Sequence, residues 1–251
     1  MPYGRPTDMP VPGRLRDLAT PAEGVCGWSR TRDRVETYFD KTATRTWERL
    51  TSDAPVSRIR ETVRRGRDEM RAQMLSRLPD DLRGARILDA GCGAGQMSAE
   101  LAARGADVVA VDISPSLVEI AAARLPQGLS GQVQFLSGDM LSHDLGRFDH
   151  VLAMDSLIYY DRHDIARALD TLARRTQGNI VFTVAPRTPL LMTMWRAGQL
   201  FPRADRSPTM IPHAPAALQK ALQRVEAPGR LNPLNRVTSG FYISQAMELS
   251  I

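Results

Sequence analysis

Four aspartates and one run of glycines carry most of the chemistry that this chain can do. Residues 86–95 read Arg-Ile-Leu-Asp-Ala-Gly-Cys-Gly-Ala-Gly, and Gln96-Met97-Ser98-Ala99-Glu100-Leu101 follows as the start of a helix. The apolar pair Ile87-Leu88 ends in Asp89, and glycines stand at 91, 93 and 95. A strand, a tight turn and a helix N-terminus in that order let a ligand press against bare backbone, because glycine has no Cβ and accepts positive φ. Asp112, Asp139 and Asp155 end or follow the next three apolar runs. A carboxylate accepts paired hydrogen bonds from a ribose diol or a single one from a purine amino group. Asp112 is the candidate for the diol. Asp139 is the candidate for the amino group, with Met140 packed on the ring. Each acid alone also reads as a helix cap or a turn residue. Four of them at strand ends around one glycine turn read as a ligand site.

Spacing separates the two nucleotide cofactors that use such a turn. The dinucleotide fingerprint is G-x-G-x-x-G. Here Gln96 occupies the place of its third glycine, Gly95 comes one residue early, and the acid, Asp89, precedes the glycines. The order acid-x-Gly-x-Gly-x-Gly resembles motif I of the class I S-adenosylmethionine-dependent methyltransferases. The resemblance implies that the loop Gly91, Cys92, Gly93 and Gly95 packs against the amino-acid part of S-adenosyl-L-methionine, and that Asp89 anchors its ammonium, often through water. Asp112 with Ile113, Asp139 with Met140, and Asp155 complete the expected cofactor site.

The elements that must position these groups alternate. Strands are expected at Arg86–Ala90, Asp107–Val111, Val133–Ser137, Phe148–Met154 and Asn179–Val184, each a short apolar run. Helices are expected at Gly95–Arg104, from Pro115 (with Ser114 as N-cap) to Leu125, at Asp164–Arg175, Pro189–Leu200 and Pro215–Val225. A closing strand alternates from Gly240. Alternating β and α units imply a parallel doubly wound sheet, and the resemblance implies the Rossmann-like class I methyltransferase fold, seven strands with an antiparallel last one. Ahead of it, residues 1–30, rich in Pro and Gly, read as a flexible leader. Residues 31–79 read as an N-terminal helical arm of two helices, Arg32–Leu50 and Pro55 to before Pro79. Residues 80–251 then form the cofactor-binding domain, with 187–213 as a lid.

Composition sets the outer bounds. With 251 residues and 43% hydrophobic residues, the chain can bury one α/β core with additions. No apolar run approaches the ~18–20 residues that span a bilayer, and the first residues lack the apolar core of a signal peptide; a cytoplasmic location is expected. Two cysteines, Cys26 and Cys92, are too few for a disulfide framework and read as thiols. Net charge is +5, carried almost wholly by Arg, since Lys41 and Lys220 are the only lysines. A basic balance permits nucleic acid, an anionic membrane surface or an acidic substrate. The Arg-rich face over residues 58–77 reads as a solvated face, with anionic lipid or a pigment-delivering partner as the alternative.

The segment Asp155-Ser-Leu-Ile-Tyr-Tyr160 argues against nucleic acid. It lacks the Asn/Asp-Pro-Pro-aromatic motif of amino methyltransferases, and the chain has no Pro-Cys nucleophile of a cytosine-C5 enzyme. The chain resembles the magnesium protoporphyrin IX O-methyltransferases of bacteriochlorophyll synthesis. The resemblance rests on Val35-Glu-Thr-Tyr-Phe-Asp, Arg45-Thr-Trp-Glu-Arg-Leu, the glycine loop, Val184-Ala-Pro-Arg-Thr, Gly198-Gln-Leu-Phe-Pro and Thr238-Ser-Gly-Phe-Tyr-Ile-Ser. It implies transfer of a methyl from S-adenosyl-L-methionine to one propionate of magnesium protoporphyrin IX, with magnesium carried by the porphyrin and no metal bound by the protein. Tyr38 then positions the acceptor carboxylate. Tyr159, where many relatives carry His, donates a hydrogen bond rather than acting as base. Arg187 pairs with a propionate, Trp195 and Phe201 cover the ring, and His213 is a candidate axial ligand to the porphyrin magnesium. Each also has a plain reading, as core aromatic, surface arginine or structural histidine. The porphyrin-carrying subunit of magnesium chelatase and a peripheral contact with the photosynthetic membrane are further implied partners. Two other functions stay open on the residues alone: a methyltransferase for another small acid or a quinone-like ring, and a non-catalytic pigment carrier.

Overall fold

The runs around Leu88, Val109, Leu152 and Val181 are too short for helices and are buried on both faces, which is the pattern of strands inside a parallel sheet. The computed structural model describes residues 26–40, 51, 57–189, 191–193 and 209–251. The elements in chain order are α1 (Cys26–Tyr38), α2 (Arg58–Leu75), β1 (Arg86–Ala90), α3 (Gln96–Ala103), β2 (Asp107–Asp112), α4 (Pro115–Arg124), β3 (Gln132–Ser137), β4 (His150–Ala153), α5 (Arg162–Ala173), β5 (Asn179–Val184), α6 (Pro215–Arg224), β6 (Arg230–Ser239) and β7 (Tyr242–Ser250). Two short 3-10 turns, His143–Leu145 and Leu157–Tyr159, flank β4.

The strands form one seven-stranded sheet in the order β3-β2-β1-β4-β5-β7-β6. β1 to β5 pair in parallel, and β7 runs antiparallel to both β5 and β6. The chain travels outward from β1 to β3 and then returns to start again at β4, so its direction of travel reverses between β1 and β4. Such a switch point opens a crevice at the carboxyl ends of the strands. One apolar core lies between the sheet and α2, α3 and α4, through Met70, Met74, Leu101 and Val118. The other lies against α5 and α6, through Ile165, Leu169, Leu218 and Leu222. Trp28, Val35 and Phe39 of the first helical segment join this second core.

Several boundaries differ from expectation. α1 begins at Cys26, inside the stretch read as a leader, because Trp28 has an apolar place to go. Asp161 caps α5, accepting from the N–H groups of His163 at 2.7 Å and Asp164 at 2.9 Å, so that helix starts before Asp164. Ser57 caps α2 in place of a start at Pro55. β6 is a strand that its sequence hides: Pro233 removes a ladder donor, and the register shifts between Pro233 and Arg236, which breaks the alternation. The rest of the leader, the remainder of the first expected helix beyond residue 40 and residues 194–208 of the expected lid lie outside the described residues. No helix among the described residues is long and apolar enough to cross a membrane.

α2 is fastened along the β6–β7 hairpin. Arg77 Nε donates to Glu248 Oε2 at 2.9 Å, Gln73 Nε2 donates to the Asn235 carbonyl at 3.0 Å, and Ser239 Oγ donates to the Thr62 carbonyl at 2.8 Å. Gly66 is the point of closest approach, since a Cβ there would lie 2.6 Å from Cδ1 of Tyr242 and 3.0 Å from Cβ of Ser239. Gly66→Val is therefore expected to cost about 1–3 kcal/mol through overpacking, read as a lower thermal midpoint, with Gly66→Ala falling between it and the parent.

Candidate active site

The glycine loop leaves β1 and is pinned to the neighbouring strand, with the N–H groups of Gly91 and Cys92 both donating to the Val111 carbonyl at 2.8 and 3.0 Å. Gly91 has φ 84°, and a Cβ there would stand 2.3 Å from Cβ of Ser156, so only glycine fits. At Gly93 a Cβ would meet nothing within 4 Å, because that position faces open space in the crevice. Gly95 differs from both. It caps α3 and would press a Cβ to 2.9 Å from Ala121, so it packs a helix and does not line the cleft, contrary to its expected place in the cofactor site.

The cleft contains about 1030 Å³ of empty space, including its open mouth. Its floor carries Asp89, Gly91, Cys92, Gly93, Asp112, Ile113, Asp139, Met140 and Asp155, so the structure brings together every expected cofactor residue except Gly95. Asp89 is 1% exposed, and its Oδ2 accepts from Ser98 Oγ at 2.5 Å. Burial pushes its carboxyl up to about 7, the charge of Asp112 adds to the shift, and the Ser98 hydrogen bond opposes it. Asp112 accepts from the N–H of Gly93 at 2.8 Å and of Ser114 at 2.9 Å, which fixes its carboxylate beside the loop. Burial raises its pKa as well, and these two amides hold the rise back. The Cys92 thiol, raised by burial and by Asp112 and Asp89, stays protonated and is no nucleophile.

Asp139 has partners that the sequence did not point to. Its Oδ1 accepts from the Leu141 N–H at 2.9 Å, and its Oδ2 accepts from Trp28 Nε1 and Arg32 Nη1, both at 3.1 Å. Trp28 also stacks on Tyr160, with ring centroids 4.0 Å apart and planes at 23°. α1 is thus latched over the β3 side of the cleft. Asp40, just beyond it, accepts from Ser114 Oγ at 2.7 Å. Trp28, Arg32, Phe39, Arg67, Arg71, Ser156 and Tyr160 all line the cleft and were missed. The signals for some were present: Phe39 and Tyr160 adjoin the tyrosines singled out, and Arg67 and Arg71 belong to the Arg-rich face, one edge of which turns inward.

Tyr159 lines the cleft and meets Phe39 edge-on at 6.1 Å. Burial raises its hydroxyl pKa, and Asp155, Tyr38 and Asp112 add to the rise, so the group stays protonated at neutral pH. Tyr38, the last residue of α1, packs partly buried against the core and edge-on to Phe39 at 5.2 Å, without lining the cleft. Arg187 is exposed outside the cleft wall, and its backbone N–H donates to the His213 carbonyl at 3.1 Å. His213 is buried away from the cleft. Its Nε2 lies 2.9 Å from the Tyr160 carbonyl, an acceptor only, so that nitrogen carries the proton and donates. Burial lowers its pKa. These contacts make it a clip between the chain after β5 and the turn after β4; a porphyrin metal finds no free Nε2 there. Trp195 and Phe201 lie outside the described residues.

A seven-stranded sheet with β7 inverted, a glycine loop after β1 and carboxylates closing β1 and β2 defines a class I S-adenosylmethionine-dependent methyltransferase. The chain is 58% identical over 222 residues to the magnesium-protoporphyrin O-methyltransferase of Rhodobacter capsulatus, an overlap covering 88% of this chain and 97% of that one. It belongs to the magnesium-protoporphyrin O-methyltransferase family. The family described as magnesium-protoporphyrin IX methyltransferase C-terminus matches residues 153–250, and the methyltransferase domain family matches 87–178. The chloroplastic magnesium protoporphyrin IX methyltransferase of Arabidopsis thaliana is 29% identical over 242 residues, covering 94% of this chain and 75% of that one. Among solved structures, magnesium protoporphyrin IX methyltransferase from Synechocystis PCC 6803 with bound SAH superposes with a TM-score of 0.74 at 26% identity, covering 87% of this chain and 99% of that one.

The raised pKa of Asp89 gives a pH signature. Between its ordinary value of 3.8 and about 7, the folded state keeps a proton that the unfolded chain has released. Stability of the cofactor-free protein attributable to this group therefore falls as pH rises through that window and is level above it. Thermal midpoints taken across the window are expected to fall more steeply in the parent than in Asp89→Asn.

Proposed function

We propose that the protein transfers a methyl group from S-adenosyl-L-methionine to a propionate carboxylate of magnesium protoporphyrin IX, giving the monomethyl ester in (bacterio)chlorophyll biosynthesis. The observation that carries this reading is the 58% identity across 88% of the chain to a magnesium-protoporphyrin O-methyltransferase. The cleft fits the co-substrate: Gly93 faces open space where a ligand meets bare backbone, Asp89 sits at the loop for an ammonium, and Asp112 stands beside it for a ribose diol. Asp139 and Met140 mark the adenine end, under α1. S-adenosyl-L-methionine supplies an electrophilic methyl on a sulfonium.

A propionate is ionised near neutral pH, with an unperturbed pKa of ~4–4.5, so the acceptor needs no base. This agrees with a cleft in which Tyr159 stays protonated. An anion meeting a cation loses charge on the way to product, so alignment and exclusion of water supply the acceleration. Trp28, Phe39 and Tyr160 provide the water-excluding wall. Tyr159 donates to the acceptor carboxylate from inside the cleft, and Tyr38, one residue before Phe39, orients it from the end of α1. Arg187, with Trp195 and Phe201 on the segment that follows it, serves the second propionate and the ring. The exposed arginines of α2 support delivery of the pigment from the porphyrin-carrying chelatase subunit or at the surface of the photosynthetic membrane.

Incubation with labelled S-adenosyl-L-methionine is expected to label the ester of magnesium protoporphyrin IX in preference to the metal-free ring; absence of ester rejects the reading. Tyr159→Phe and Tyr38→Phe are each expected to lower turnover about 3–10-fold, the worth of one hydrogen bond. Full turnover in either variant removes that hydroxyl from the reaction.

A further inference from the structure

We propose that Asp155 is a positioning residue, a clamp that ties α2, β5 and β7 to the end of β4 so that Ser156 and Tyr159 are held against the glycine loop. Asp155 lies two residues beyond the end of β4 with φ 57°, in the left-handed region that a non-glycine residue seldom occupies. Such a conformation persists only where the surroundings over-determine it. Here they do. The Asp155 N–H donates to Thr183 Oγ1 at 2.7 Å, and the same hydroxyl donates to Asp155 Oδ1 at 3.2 Å. Arg67 Nη1 donates to Oδ2 at 2.5 Å, and the Tyr242 hydroxyl reaches Oδ1 at 3.1 Å and Oδ2 at 3.3 Å.

Three donors from three elements take up most of what one carboxylate can accept, roughly four lone-pair positions. Little is left for an ammonium or a ribose, so Asp155 departs from the cofactor-binding role expected of it although it lines the cleft. Its effect appears one residue on. The left-handed turn throws Ser156 onto Gly91, where no Cβ fits, and starts the 3-10 turn Leu157–Tyr159 that delivers Tyr159 to the cleft. Gly66 belongs to the same device, because its missing side chain is what lets the Tyr242 ring pass under α2. Thr183 and Tyr242 do not line the cleft, and both bind Asp155, which does, so a change at either acts on the reaction from outside the cleft.

The kinetic half of the test rests on the methyl transfer proposed above; the spectroscopic half does not. Tyr242→Phe and Thr183→Val are expected to lower kcat for ester formation about tenfold, the scale set by small misplacements of reacting groups. The affinity for S-adenosylhomocysteine, measured by calorimetry, is expected to stay within about twofold, and Thr183→Ser to restore kcat. With 3-fluorotyrosine at the protein's five tyrosines, and the Tyr159 line assigned by Tyr159→Phe, that line is expected to move in Thr183→Val and return in Thr183→Ser. A kcat within about twofold of the parent in Tyr242→Phe, measured well below its thermal midpoint, overturns the proposal. So does a loss of S-adenosylhomocysteine affinity in step with kcat, which returns Asp155 to the cofactor, or an unmoved Tyr159 line. A parent that makes no ester rejects the function, and the fluorine lines then decide the clamp alone.

Discussion

The rest of this molecule is arranged around four carboxylates in a row. The sheet order β3-β2-β1-β4 sets Asp139, Asp112, Asp89 and Asp155 side by side along one edge of the cleft. Burying ionised carboxylates next to one another is unfavourable unless each finds donors or a proton. Each finds a different remedy. Asp89 takes the Ser98 hydroxyl and a pKa lifted to about 7. Asp112 takes two backbone amides from the loops on either side of it. Asp139 takes Trp28 and Arg32 of α1, and Asp155 takes Arg67 of α2, Thr183 of β5 and Tyr242 of β7.

This row explains why segments far apart in the chain are part of the site. α1 and α2 precede the sheet, and β7 closes it, yet their contacts converge on acids at the ends of strands. Residues 107 and 111 positions apart meet at Asp139, and residues 87 and 88 positions apart meet at Asp155. The two central acids take their partners from the glycine loop, the start of α3 and the turn after β2, and both line the cleft beside the open glycine loop. The two outer acids accept from other elements, Asp139 from α1 and Asp155 from α2, β5 and β7. A cleft built this way suits a reaction whose acceptor is already an anion, since the walls need only align it and keep water out.

Much of the sheet was legible because it follows local rules. Strand runs, the Ser114-Pro115 helix start and the glycine turn depend on residues within a few positions of one another, and the structure has them where the sequence points. The failures were also physical. β6 was hidden by Pro233 and a register shift that break alternation. The start of α1 was missed because Trp28 lies in a stretch with no periodicity, and its reason for being helical is Asp139 and Tyr160, more than a hundred residues away. His213 looked like a metal ligand in a polar loop, and only the Tyr160 carbonyl beside it reveals a buried clip.

By itself, the sequence determined the cofactor class, since the early third glycine and the acid before it are matters of spacing along one strand and one turn. It also carried the family, through short segments spread over most of the chain. Only the tertiary structure decided which partners each acid takes. Asp139 and Asp155 look alike in sequence to Asp89 and Asp112, all four standing at strand ends. Their surroundings separate because hydrogen-bond partners are set by which distant helices and strands pack beside them, and that is a property of the fold.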